Sequence, residues 1–448
     1  MGLLAALGLA SGAVSGAAGQ TSPAATVVDT YVDVAQNPGP VTASWPIDYN
    51  SQDNNPVVGR VALSDGPKYL VNVPALVNSA PVMAGQDLYV AGGFVSGPRR
   101  EAHPGYVWAI NPADGALIWT ESLPNSVFAQ PIVADNILLV GVGNAAFAQP
   151  SLSPATTPGM VRGVGPSGLY AFNATNGQAL WSFKTQGADQ APPTVVGNTV
   201  YLASGSRRLY ALSLSTGRAQ WSVNIGHYVS RSSPRIMNHM AYMGGAGPLG
   251  VVAVDLKTHR VAWQRPITGA LQGVDDTPIA VSKSRLISAA MAGPEHLSSS
   301  SKQHEAMIYA LNPTTGAMVW STVVARGAAP PFKATGTPVV VGQRIYAGNA
   351  INGRVVCLSL ETGHVIWSVP TGSPVTRPVA VVDHRVYALT KTGMLVAISM
   401  KGHIMAKEFV AHFVNTYGPV IYNHTLSLSG NTAHQGYVGA TPLFGLPR

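Results

Sequence analysis

Short apolar runs broken by turn residues fill most of the chain, and one unit keeps returning: an apolar strand, a turn usually ending in Gly, then a strand carrying Trp. Its copies read YVWAINPADGALIW to Trp119, LYAFNATNGQALW to Trp181, LYALSLSTGRAQW to Trp221, VVAVDLKTHRVAW to Trp263, IYALNPTTGAMVW to Trp320 and VVCLSLETGHVIW to Trp367. A seventh, LVAISMKGHIMA, has Ala406 in the Trp position. Six of the eight Trp residues occupy this one slot, so their role is structural, docking between neighbouring units. Between copies lies a second pattern, a Pro leading into a short apolar strand, a turn and a β-rich strand. It starts at Pro81, Pro131, Pro193, Pro234, Pro278, Pro338, Pro378 and Pro419. Each unit thus holds four short strands with Gly, Asn or Asp at the turns, and eight starts predict an all-β, eight-bladed β-propeller of four-stranded blades. The eighth unit supplies only three strands, at 420–422, 425–428 and 436–440. Residues Tyr69 to Val73 precede the first Pro start in the place held elsewhere by a Trp strand, so they are expected to complete the eighth blade. The ring then closes with an N-terminal strand, which hides otherwise open edges.

In a four-stranded meander the first and third turns share one face, while the middle loops and the blade-to-blade crossings share the other. The first face carries short turns of the Asn-Pro-Ala-Asp-Gly or Ser-Thr-Gly type. The second carries the long irregular segments 143–168 and 292–306, and loops of that length are uncommon unless functional or disordered. Crossings on that face end near the axis and place there His227, Tyr228 and Arg231 before Pro234, Asp275 and Asp276 before Pro278, Lys333 before Pro338, Arg377 before Pro378, and Tyr417 before Pro419. Arg99, Arg100, Arg162, Arg207 and Arg208 lie on the middle loops. Several cations converging on one mouth make a cationic funnel suited to a small anion, with one acidic doublet able to supply a proton. Turn and capping roles fit Asp275 and Asp276 as well, and spacing does not choose which of the two would be the acid.

Composition sharpens that picture. Charged residues are only 10% of the 448, with 19 Asp plus Glu against 27 Lys plus Arg. Scarce carboxylates suit an acid medium, where ionised carboxylates needed for folding are lost by protonation, and equally a secreted protein at neutral pH that is polar without charge. Lys and Arg form no run longer than the pairs Arg99-Arg100 and Arg207-Arg208, which argues against nucleic acid. The lone Cys357 excludes an intrachain disulfide and a Cys-cluster metal site, and no metal is expected. Residues 1–20 read as the remnant of a signal peptide, 21–66 as an N-terminal extension and 67–448 as the propeller. No segment reaches 18 apolar residues, so no membrane span is expected, and the setting is periplasmic or secreted.

The Tyr-Ala-Leu, Thr-Gly and Trp positions over 81–440, with Trp45-Pro46 ahead of Asp48-Tyr49-Asn50, resemble the tryptophan-docking repeats of quinoprotein enzymes and their cofactor-free relatives. A quinone-dependent dehydrogenase of that class would bring a Ca²⁺ carboxylate cluster and, in many members, a vicinal disulfide that the single Cys357 cannot form. A non-enzymatic scaffold, like the propeller lipoprotein of outer-membrane assembly, would want few polar groups at the axis. The depleted acidic charge and the segment Gly273-Val274-Asp275-Asp276-Thr277-Pro278 make the chain similar to tetrathionate hydrolases of acidophilic sulfur-oxidising bacteria. That resemblance implies hydrolysis of tetrathionate to thiosulfate, sulfur and sulfate at acid pH, no redox cofactor, a catalytic aspartate at Asp275 or Asp276, and a homodimer.

Overall fold

The computed structural model describes residues 57–58, 69–73, 77, 79–93, 102–147, 157–293, 303–328, 336–382, 384–409, 420–422, 425–431 and 436–442. The signal-peptide reading, most of the extension, Arg99, Arg100, Lys333 and Tyr417 lie outside them. The described residues form eight antiparallel sheets, each a meander running outward from a short inner strand. The inner strands are Val82–Ala84, Ile132–Ala134, Thr194–Val196, Arg235–Met237, Ala280–Val281, Val339–Val341, Ala380–Val382 and Val420–Tyr422. Each follows one of the eight prolines, which fix φ and end the crossing before it.

The eighth sheet pairs Val420–Tyr422, Thr425–Asn431 and Gly436–Pro442 with Tyr69–Val73 as its outer strand, Tyr69 opposite Ala440 and Val73 opposite Gly436. The ring therefore closes as expected. Two additions were not legible. Val57–Val58 adds a parallel strand on the inner edge of Ala380–Val382, and Ala270–Gln272 pairs with Leu286–Ala292 of the fifth blade. Among the described residues no helix is long and apolar enough to cross a membrane.

The core is a set of layers between blades. One layer joins Leu139 and Leu169 of the second blade to Val200 and Leu202 of the third. Second strands such as Leu286–Ala292 are buried along their whole length because neighbouring blades cover both faces, whereas the outer strand Ala179–Lys184 is mostly exposed. Tryptophan fastens the layers. Trp181 Nε1 donates to the Leu214 carbonyl of the next blade at 2.9 Å, and its ring lies against Gly217, whose φ of +67° favours glycine and whose missing Cβ makes room for the indole. Trp119, Trp263, Trp320 and Trp367 donate in the same way to Ala174, Pro313, Leu360 and Met400. In the fourth blade the Gly position is His259, at φ +56°, and its imidazole stacks on Trp221 with centroids 4.5 Å apart. A register shift precedes the Trp position in each of these outer strands.

Candidate functional site

Three connections meet on the crossing face. The crossing into the fourth blade, around 227–233, hydrogen-bonds to the crossing into the fifth, around 273–277. The carbonyl of Asp275 accepts the N–H groups of Ser230, Arg231 and Ser232 at 3.3, 2.9 and 3.0 Å, so the first crossing curls around it. Gly244, on the second strand of the fourth blade, is needed here because any Cβ would collide with the Val274 carbonyl. The third connection is the long insertion of the second blade. Arg162 in it donates its N–H to the Gly205 carbonyl at 3.1 Å, and its own carbonyl accepts from Ala188 at 2.7 Å. Gly163, at φ +102°, follows where a Cβ would strike Ala188. Met160 is buried with Tyr228 and Val274, so the insertion is packed into the inter-blade core.

Asp275 lies at the junction, only 6% exposed. Ser230 Oγ donates to Asp275 Oδ2 in a short hydrogen bond, and Arg162 Nη1 donates to Ser230 Oγ at 2.7 Å while standing 3.7 Å from the same Oδ2. Burial and the neighbouring Asp276 charge push the Asp275 carboxyl up, Arg162 and Ser230 pull it down, and the balance leaves it raised to about 6. Burial is the largest of these effects. Tyr228, 3% exposed, is raised by burial and by the Asp275 carboxylate, which keeps its phenol neutral. Phe147 meets the Tyr228 ring edge-on at 5.4 Å and carries the Arg162 guanidinium over its own face at 5.2 Å.

The structure thus gathers Asp275, Asp276, Tyr228 and the backbone of Arg231. Asp276 is half-buried, its N–H donating to Gly273 at 3.3 Å. Arg231 turns its guanidinium to the Phe128 ring at 5.9 Å. His227 is differently employed: buried, it holds the Pro248 carbonyl through Nδ1 at 2.7 Å, and burial, more than the Arg207 charge, lowers its pKa against the opposing Pro248 hydrogen bond. Arg377 is buried on a separate crossing, between the sixth and seventh blades. Sequence reasoning placed Arg162 on the right face without joining it to the acidic doublet, and it missed Ser230 and Asp189. Asp189, on the crossing into the third blade, is fully buried, accepts from Thr185 Oγ1 at 2.6 Å, and is pushed up to about 7 by burial against Ser204 and Thr185. Its only signal was being a carboxylate in a crossing. Among the described residues no group of three His, Cys, Asp or Glu is placed to hold a metal ion.

A family model described as outer membrane protein assembly factor BamB matches residues 160–290 and 304–404. The chain is 27% identical to the tetrathionate hydrolase of Acidithiobacillus ferrooxidans over 274 residues, 59% of this chain and 54% of that protein, so it spans about half of that relative. It is 26% identical to the tetrathionate hydrolase of Acidianus ambivalens over 378 residues, 77% of this chain and 68% of that one. Among solved structures, the quinohemoprotein alcohol dehydrogenase ADHIIG of Pseudomonas putida HK5 superposes with a TM-score of 0.60 at 12% identity, covering 94% of this chain and 83% of that one, a likeness of fold alone.

Proposed function

From a chain that belongs to the BamB family of propellers and is similar to tetrathionate hydrolases, we propose a hydrolase that cleaves the S–S bonds of tetrathionate in acid. The observation that carries this reading is Asp275: a buried carboxyl with raised proton affinity, held beside a cation on the crossing face. Burying that carboxyl costs desolvation free energy, which favours a chemical use for it. The net reaction takes one water and one tetrathionate dianion to thiosulfate, sulfur, sulfate and two protons. Protonated Asp275 gives its proton to the sulfur of the departing fragment, where negative charge develops. The attacking water, on losing a proton, restores the carboxyl. Arg162 lies beside the acid and supplies positive potential for a sulfonate end. A periplasmic or secreted location in acid is part of this reading, as is work without a redox cofactor.

The test is thiosulfate release from tetrathionate by the purified protein between about pH 2 and 7, with Asp275→Asn and Asp276→Asn alongside. Release should fall as pH rises through the Asp275 pKa. Asp275→Asn should lose on the order of a hundredfold or more in kcat, and Asp276→Asn should retain most of its activity. Equal activity in parent and Asp275→Asn would remove the acid. No turnover at any pH would return the chain to the scaffold role that the name of its family describes.

A further inference from the structure

Resting on the reading of Asp275 as the acid, we propose that Arg162 and Ser230 form a relay that confines the acid proton to Oδ1 of Asp275. Both are then positioning residues. A guanidinium has only N–H donors, so the 2.7 Å contact between Arg162 Nη1 and Ser230 Oγ has Arg162 donating. The single hydrogen of Ser230 is then left for its other partner, Asp275 Oδ2. That oxygen already accepts a hydrogen and has the guanidinium 3.7 Å away, so a proton on it would displace the first and face the second. Neutral Asp275 therefore carries its proton on Oδ1, and every molecule presents the same oxygen as donor.

The delivery of Arg162 is built into the fold. Its backbone is clamped on both sides by Gly205 and Ala188, and Gly163, Gly187 and Gly205 stand where a Cβ on any of them would strike neighbouring backbone. Phe147 supports the guanidinium face. The charged and titratable groups around Asp275 are Arg162 from the insertion, Asp276 beside it, and Tyr228 and Arg231 from the adjoining crossing, Arg231 with its guanidinium turned to Phe128. Of these, Arg162 favours the ionised carboxylate, as does the Ser230 hydroxyl.

The experiment is the pH profile of kcat/KM for tetrathionate in the parent, Arg162→Gln, Ser230→Ala and Ser230→Thr. Removing a group that favours the ionised form raises the Asp275 pKa, so the limb on which activity falls should move to higher pH by about one unit in the first two variants. Ser230→Thr keeps the hydroxyl and should keep the limb in place. Loss of rate with an unmoved limb is what a merely structural role would give, and it would overturn the relay. A second readout needs no turnover: an infrared titration of the protonated-carboxyl C=O band that Asp275→Asn abolishes, which should shift upward in pH with the limb. If Asp275→Asn hydrolyses tetrathionate like the parent, the acid reading fails and the infrared band alone decides the relay. If Asp275→Asn is inactive but neither limb nor band moves in Arg162→Gln and Ser230→Ala, the relay fails and the acid reading stands.

Discussion

Gly197 and Gly217 share a left-handed backbone, at φ +55° and +67°, but not their surroundings: Gly197 faces open space, whereas Gly217 lies against the Trp181 ring. Gly197→Ala should therefore cost only the backbone penalty, about 1 kcal/mol. Gly217→Ala adds a collision with an indole fixed by its own hydrogen bond, and about 2–4 kcal/mol is expected. Urea midpoints of the two variants measure the difference directly. The Gly before most of these Trp residues was readable because one residue answers two local demands, φ and space. The relay around Asp275 was not, since Arg162, Ser230 and Asp275 come from three connections of three different blades and no local period links them. Scarcity pointed to Asp275 and Asp276. Burial, which only packing decides, separates them.

The strands were legible because covered middle strands must be apolar throughout, and turns between them need Gly, Asn or Asp. What period alone could not show were pairings at the inner edge, such as Val57–Val58, and the descent of the insertion around Met160 into the core. Outer strands face another demand, since their free edges invite pairing with other molecules. The register shift just before each Trp bends the edge there, and the exposed apolar residues beside it, Leu117, Ile118, Val365 and Ile366 among them, sit on that irregular stretch. Between the second and third blades the seam depends on the single indole donor of Trp181. Trp181→Phe keeps an aromatic ring and leaves the Leu214 carbonyl without that donor, so a loss of about 1–2 kcal/mol is expected by denaturant unfolding. Ala406→Phe, at a seam whose outer strand has no Trp, should cause no comparable loss of a hydrogen bond.

Across the whole molecule, two buried carboxyls tie stability to pH in the direction opposite to ordinary acid unfolding. Asp275 and Asp189 bind protons more tightly folded than unfolded, with folded values of about 6 and about 7. Their contribution is fully present below the unfolded pKa, about 4, and is lost as pH rises through the folded values. Unfolding free energy should therefore fall by a few kcal/mol between about pH 4 and pH 7. Asp189→Asn should flatten that slope in urea titrations at the two pH values, and an unchanged slope would refute the assignment. The low count of carboxylates suited an acid medium on composition alone. The sign of the slope came only from where those two residues are buried.

Closure by Tyr69–Val73 also orders events in time. A chain made from its N-terminus exposes that strand before any of the eight inner strands, yet its partner, Gly436–Pro442, follows all of them. Throughout synthesis a ready edge strand waits without its sheet, and every blade between must form before the circle can shut. A molecule cut short before Gly436 would keep the strand without its partner and leave the Thr425–Asn431 edge open, so that strands of separate copies could pair instead. The latch that seals the finished ring is, in the unfinished one, a means of linking molecules into chains.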